Sequence, residues 1–213
     1  MIEIRKTEVF GWEAAIRGMR NPLNSWDKSD SDFSIGPNDL KLMQSLAKAG
    51  DDHGKFLRMI NVQTDITAPR YWWTEFDTYK VGTVANSCST MHKLTERPLT
   101  WDDFSIDERC FGDNLYIDNV YGCMSIDSCF ADVIANCNHL REWFLKTGDN
   151  RYWRALIQLL PQSYNQKRTV QLNYQVLAHM YFARRNHRLK EWHDFCVWAE
   201  GLPYFKEIVV QEG

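Results

Sequence analysis

Five basic or potentially basic side chains, Arg184, Arg185, His187, Arg188 and Lys190, fall within seven consecutive positions. A guanidinium fork matches two phosphate or carboxylate oxygens at once, so such a cluster can act as an anion clamp. Two other readings stand beside it. Cations are favourable where a helix ends, so the cluster also suits a solvated turn between two helices. An RNA-binding surface is the third, although no second basic stripe accompanies it. Another concentration of polar groups lies at residues 81–90, VGTVANSCST. A glycine, small side chains and several hydroxyls there suit the close approach of a ligand to the backbone.

Other chemistries find less support. Glu75 and Asp77, two positions apart on an expected helix, point in different directions and do not make an acid–base pair. There is no G-x-S-x-G elbow and no glycine-rich phosphate loop. His92, His139 and His193 lack ligand-like spacing and read as surface or capping residues. The six cysteines include no C-x-x-C pair, so no zinc site is expected. Cys129 and Cys137 share a helical pattern with Phe130, Val133 and Ile134, where free thiols serve as small hydrophobes. The aromatic run Tyr71, Trp72, Trp73 and Phe76 reads as core rather than as a cofactor platform.

Composition bounds the partners. With 213 residues the chain suits one sizeable core, and an apolar share of 44% argues for a folded rather than a disordered chain. The net charge of −3 sets up no global basic field, so nucleic acid is not an expected partner of the chain as a whole. No apolar run approaches the roughly 18 residues that cross a bilayer, and the first 20 residues do not read as a leader. A cytoplasmic protein with reduced cysteines, bound to no membrane, is the expectation.

These residues are positioned by elements that the sequence marks out. Ile60, Val62, Thr64 and Ile66 share one face of a strand, with Asn61, Gln63 and Asp65 on the other. Pro69 suits the first turn of a following helix. A strand at 2–10 and a helix at 12–19 precede a polar linker at 24–34. Gly36 and Pro37 then open a helix with Leu40, Met43 and Leu46 at helical spacing, stopped by Gly50. Residues 95–124 form an acidic, irregular insertion that reads as a lid rather than core. Ser125 caps a long helix ended by Gly148, and a second helix covers 150–160. A short strand at 168–172 leads to helices at 173–186 and 189–199. The sum is an α+β class, a helix-rich single domain over residues 1–213 with a small, mostly antiparallel sheet.

Two blocks together resemble the flavin-dependent thymidylate synthase family. The first runs from the strand through Ala68-Pro69 and the aromatic helix into the small polar turn. The second is LLPQSYNQKRTVQLNYQVLAHMYFARRNHRLKEWHDFCVWA at 159–199, where a Leu-Pro leads to a strand, an Asn opens a helix and an Arg closes it. The helix at 40–53, ending in His53, is similar to a family element with a histidine beside the cofactor. The resemblance implies FAD as cofactor, with NADPH and methylenetetrahydrofolate as co-substrates in converting dUMP to dTMP. It also implies dUMP or a related nucleotide as ligand, and a homotetramer with its sites between subunits. No protein nucleophile or metal is needed for that chemistry.

Carried over by position, the resemblance implies a divergent site. The family's Arg-His-Arg falls at Thr78, Tyr79 and Lys80, so only the third cation survives, and the following Ser falls at Thr83. A family Gln becomes Glu75, the Asn-Glu-x-Ser element falls at Ala85, Asn86 and Cys88, and a later Arg becomes Thr90. Asn173 matches a flavin-contacting Asn, His179 replaces another, and Arg184 or Arg185 matches the Arg that reaches the nucleotide. The resemblance thus places His53, Tyr79, Lys80, Thr83, Asn173 and His179 at the cofactor, and Glu75, Asn86, Cys88, Arg184 and Arg185 at the substrate. Charge-assisted hydrogen bonds to phosphate contribute roughly 1.5–3 kcal/mol each. Loss of two arginines therefore weakens nucleotide binding by orders of magnitude unless Lys80 and the 184–190 cluster replace them. The alternative is a relative on the same fold, inactive as a synthase, that binds another nucleotide-like ligand or serves as an assembly component.

Overall fold

Alternation of apolar and polar side chains over residues 60–66 makes a strand with one face for the core and one for cross-strand pairing. The computed structural model of the chain describes residues 2–107, 115–119 and 122–211. Its strands are β1 (Glu3–Phe10), β2 (Asn61–Pro69), β3 (Val84–Ser87), β4 (Tyr116–Asn119), β5 (Gly122–Ser125) and β6 (Asn165–Asn173). The order β1-β2-β6-β3 makes one sheet, and β4 and β5 make a separate antiparallel hairpin. The helices are α1 (Trp12–Arg20), α2 (Pro37–Lys48), α3 (Arg70–Phe76), α4 (Thr90–Lys93), α5 (Ile126–Thr147), α6 (Asn150–Leu159), α7 (Tyr174–Arg184) and α8 (Lys190–Glu200). This is the helix-rich α+β class with a small sheet. Among the described residues, no helix is long and apolar enough to cross a membrane.

The chain divides into two compact units. One comprises residues 1–3, 67–75 and 87–167, the other 4–66, 76–86 and 168–213. In the first, α5 and α6 bury Ile134, Cys137, Leu156 and Leu160 together with Leu94, Leu99 and Phe104. Ser125 accepts from the Ser128 N–H to start α5, and Gly148 ends it in the left-handed region. Leu99 and Phe104 correct the reading of the acidic stretch as an excursion, because they are buried core. The Asn138 side chain clamps Leu99 by accepting its N–H at 2.7 Å and donating to its carbonyl at 2.9 Å. Residues 108–114 and 120–121 of that stretch lie outside the described residues. Burial pushes the Cys137 thiol up to about 11, in keeping with a structural cysteine.

Trp72 and Trp73 are buried, as the aromatic run predicts. Pro69 ends β2 instead of entering α3, because the first helical N–H groups already have acceptors: Arg70 and Tyr71 donate to the carbonyls of Tyr164 and Gln162. Asp77 lies beyond α3, which stops at Phe76.

In the second unit, β2 turns Val62, Thr64 and Ile66 inward. Its other face pairs with β6. Gln63 donates to Gln171 at 3.1 Å, and the Thr169 hydroxyl donates to Asp65 at 2.6 Å. One index rises as the other falls, so the two strands are antiparallel. β6 exceeds the expected 168–172 because pairing through the backbone needs no apolar side chains at Asn165, Gln166 and Lys167. The same reason explains β3, a fully exposed strand inside the stretch expected as a turn.

The expected linker at 24–34 is instead a folded polar ring around Asp39. Arg20 Nε donates to Asp39 Oδ1 at 2.7 Å, and the hydroxyls of Ser29 and Ser31 each donate to Oδ2 at 2.6 Å. In return the Asp30 carboxylate accepts the Asn38 and Asp39 N–H groups at the start of α2, at 2.8 and 3.0 Å. Each aspartate satisfies donors of the other's segment, a reciprocal cap. Asp39 is fully buried and Arg20 is 5% exposed. Burial pushes the Asp39 carboxyl up, but hydrogen bonds from Ser29, Ser31 and Arg20, with the Arg20 charge, outweigh it and hold the group below the usual range.

Arg20→Ala leaves that carboxylate buried without its cation and is expected to lower stability by about 3–5 kcal/mol in urea unfolding. The lowered group stabilises the fold fully above the ordinary carboxylate range and loses that contribution as pH falls through its folded value. Urea midpoints measured toward acid should therefore drop more steeply for the native chain than for Asp39→Asn.

Candidate functional site

The second unit places three groups of polar residues that the sequence singled out. Arg184 ends α7, and Trp192 stands in the first turn of α8. Arg184 Nε donates to the Tyr79 hydroxyl at 3.0 Å. Its guanidinium carbon lies 5.6 Å from the Tyr79 ring centre and 4.9 Å from that of Trp192. Trp192 is buried and packs edge-on against Phe195 at 5.5 Å. Two rings thus hold a half-buried cation in a fixed plane, an arrangement in which a guanidinium gains about 0.5–2 kcal/mol of cation–π attraction. Tyr79 reaches this place because its N–H donates to the Phe76 carbonyl at 3.0 Å, closing a turn after α3.

The second group forms where the chain after Lys80 meets the start of α7. Asn173 caps α7, its Oδ1 accepting the Val176 N–H at 3.0 Å. Gly82 has φ +81°, and a Cβ there would sit 2.8 Å from Val176 Cγ2 and 3.0 Å from Asn173 Nδ2. Only a glycine allows this approach. The Thr83 hydroxyl donates to the Tyr79 carbonyl, which ties the glycine turn to the first group. Lys80 and Asn86 are exposed on either side of the turn.

The third group is a polar relay. Arg58 Nε donates to Gln175 Oε1. Gln175, 6% exposed, hydrogen-bonds in turn to Asp51, and His179 Nε2 lies 3.3 Å from Asp51 Oδ1. The hydrogen bonds from Gln175 and then His179 hold the Asp51 carboxyl below its ordinary range. His53 is exposed two residues on, at the start of the short turn Gly54–Arg58.

Two expected site residues belong to the other unit. Glu75 is half-buried in α3. Cys88 is exposed, its N–H donating to the Lys167 carbonyl at 2.9 Å and its carbonyl accepting from Gln166 Nε2 at 2.9 Å. A cleft of about 470 Å³ in the second unit, lined by Thr7, Val9, Trp198 and Leu202 among others, includes none of the expected residues.

The structure therefore joins Tyr79 to Arg184 and Asn173 to the Gly82–Thr83 turn, and it gives His179 a carboxylate partner. Of the two candidate arginines, Arg184 turns to the rings, while Arg185 lies over Phe182 at 5.4 Å. Trp192, Asp51, Arg58 and Gln175 were not anticipated as site residues. Trp192 has the helical spacing of any core aromatic, and only the polar run Asp51-Asp52-His53 after Gly50 hinted at the relay.

No protein-family model matches the chain, and no curated protein matches it in sequence. Its structure is similar to thymidylate synthase X (ThyX) from Helicobacter pylori with FAD and dUMP, at TM-score 0.68 and 18% identity over 99% of this chain and 98% of that one. A second Helicobacter pylori structure, flavin-dependent thymidylate synthase ThyX complexed with FAD and dUMP, gives 0.70 and 17% over 98% of both chains. The UMP/dUMP methylase PolB from Streptomyces cacaoi, bound with 5-Br dUMP, gives 0.63 and 15% over 100% of this chain and 95% of that one. At such identities the likeness establishes the fold, and that fold is the one of the flavin-dependent thymidylate synthases.

The glycine turn yields a comparison of two substitutions. Gly50 also has positive φ, at +96°, but a Cβ there meets nothing within 4 Å. Gly50→Ala should carry only the backbone strain, about 1–2 kcal/mol. Gly82→Ala adds the clash with Val176 and Asn173, so thermal unfolding should show the larger loss for Gly82→Ala.

Proposed function

We propose that the chain is a flavin-dependent enzyme of the thymidylate synthase type, methylating dUMP to dTMP with methylenetetrahydrofolate, FAD and NADPH, and assembling as a homotetramer. The observation that carries this reading is the end-to-end likeness to ThyX structures that hold FAD and dUMP. The donor set fits an anionic dinucleotide. From Thr78 to Asn86 the chain has no Asp or Glu, while Lys80 supplies a cation and Asn86 an uncharged donor. When bound, a flavin supplies the redox chemistry.

The chain's own residues then bind and orient. Lys80 opposes phosphate charge, and Asn86 offers a donor along the same segment, while Thr83 holds the glycine turn through its bond to the Tyr79 carbonyl. The Asn173 carbonyl is held by its cap, which fixes the direction of its amide nitrogen beside Gly82. Arg184 is the residue assigned to the nucleotide, and its place between two rings limits the directions its guanidinium can take before a ligand arrives. Asp51 lies within hydrogen-bond reach of His179 Nε2 and holds the ring in place. His53, exposed two residues after Asp51, is assigned to the cofactor as well. Glu75, Cys88 and Arg185 are assigned no step.

One observation favours a second reading, a relative that is inactive as a synthase and binds another nucleotide-like ligand. Arg184 spends its Nε on Tyr79, and Tyr79 stands where the resemblance places a histidine between two arginines.

Flavin fluorescence titration and growth of a thymidine-requiring strain separate the readings. The native chain should bind FAD and restore growth, and Lys80→Ala should weaken FAD binding by about 10–100-fold, the loss of one charge-assisted hydrogen bond. Flavin binding without growth selects the second reading. No binding of either FAD or dUMP overturns both.

A further inference from the structure

The cations at 185–190 are not used by the site described above. Arg185, Arg188 and Lys190 are exposed, and none forms an ion pair among the described residues. The carboxylates of α8 do not neutralise them at the surface. Glu191 is buried and Asp194 half-buried, and Glu200 accepts from the Tyr181 hydroxyl at 2.8 Å and pairs with Lys206 at 3.1 Å. α8 begins at Lys190 with no side-chain cap, so the positive end of its dipole adds to the same patch. Beside these charges, Phe182 is 50% exposed, with the Arg185 guanidinium carbon 5.4 Å from its ring centre.

Unpaired cations next to an exposed ring carrying a guanidinium are the two parts from which single-strand binding surfaces are made: charge for the phosphates and a platform for an unstacked base. We propose that the C-terminal end of α7 and the start of α8 form a binding surface for a single-stranded polynucleotide, with Arg188 and Lys190 on phosphates and the Phe182–Arg185 pair stacking a base. The net charge of −3 makes this contact local. Fields from exposed charges fade within about 10 Å at ordinary salt, so the surface engages a short length of strand. The site is independent of the flavin reading and is tested without added FAD.

The test is fluorescence anisotropy of a labelled oligouridylate with the full chain. Two neutralised phosphates give a log–log salt slope of about −1.4, so binding should weaken about 7-fold between about 50 and 200 mM salt. Arg188→Ala with Lys190→Ala should bring the slope close to zero. Phe182→Ala should weaken binding at every salt concentration with the slope unchanged. All three side chains are exposed, and circular dichroism checks that the variants fold. UMP and inorganic phosphate, at matched phosphate concentration, should displace little of the oligomer. Absence of binding at low salt, a slope that the double variant leaves unaltered, or full displacement by UMP or phosphate would each overturn the proposal.

Discussion

The antiparallel register of β2 against β6 is the constraint on which the second unit depends. Gln63 faces Gln171, Asp65 faces Thr169, and the Tyr174 N–H reaches the Ile60 carbonyl at 3.0 Å. With that register set, Asn173 arrives where β6 ends and α7 begins, and its side chain becomes the cap. α7 is 11 residues long, about 16 Å of helix, and it delivers Arg184 at its far end. A slip of one residue would turn Val62, Thr64 and Ile66 out of the core and rotate Asn173 away from Gly82. Gly82 and Asn173, 91 positions apart in sequence, are thus brought to the same turn by strand pairing.

Much of this was legible in the sequence. Period-2 alternation gave β2, and Ser125, Gly148, Gly50 and Asn173 marked helix ends because capping and positive φ need particular residue types. What escaped has a common physical cause. β3 pairs through its backbone with every side chain exposed, so no apolar periodicity reports it. The buried role of Asp39 depends on Arg20 and on Ser29 and Ser31, and those residues look like a solvated spacer. Leu99 and Phe104 were hidden among acidic neighbours whose charges dominate a composition argument.

The candidate site divides in the same way. Residue types pointed to Arg184, Asn173 and His179, but their partners came only from tertiary structure. Tyr79 and Trp192 become a plane for Arg184 only when α8 folds back beside α7. Asp51 meets His179 across 128 positions of sequence. Titration behaviour follows the same contacts: Asp51 and Asp39 are held low by named donors, while burial alone raises the thiol of Cys137.

The mutual capping of Asp30 and Asp39 also limits what the intervening segment can become. Two carboxylates that each close hydrogen bonds on the other's backbone fix the number of residues between them as firmly as a covalent staple fixes a ring size. Inserting or deleting even one position between Ser31 and Gly36 would disturb both sets of bonds at once, freeing the start of α2 and loosening Asp39 from Arg20 at the end of α1. A stretch whose serines and aspartates look interchangeable is, in length, among the least adjustable parts of the chain.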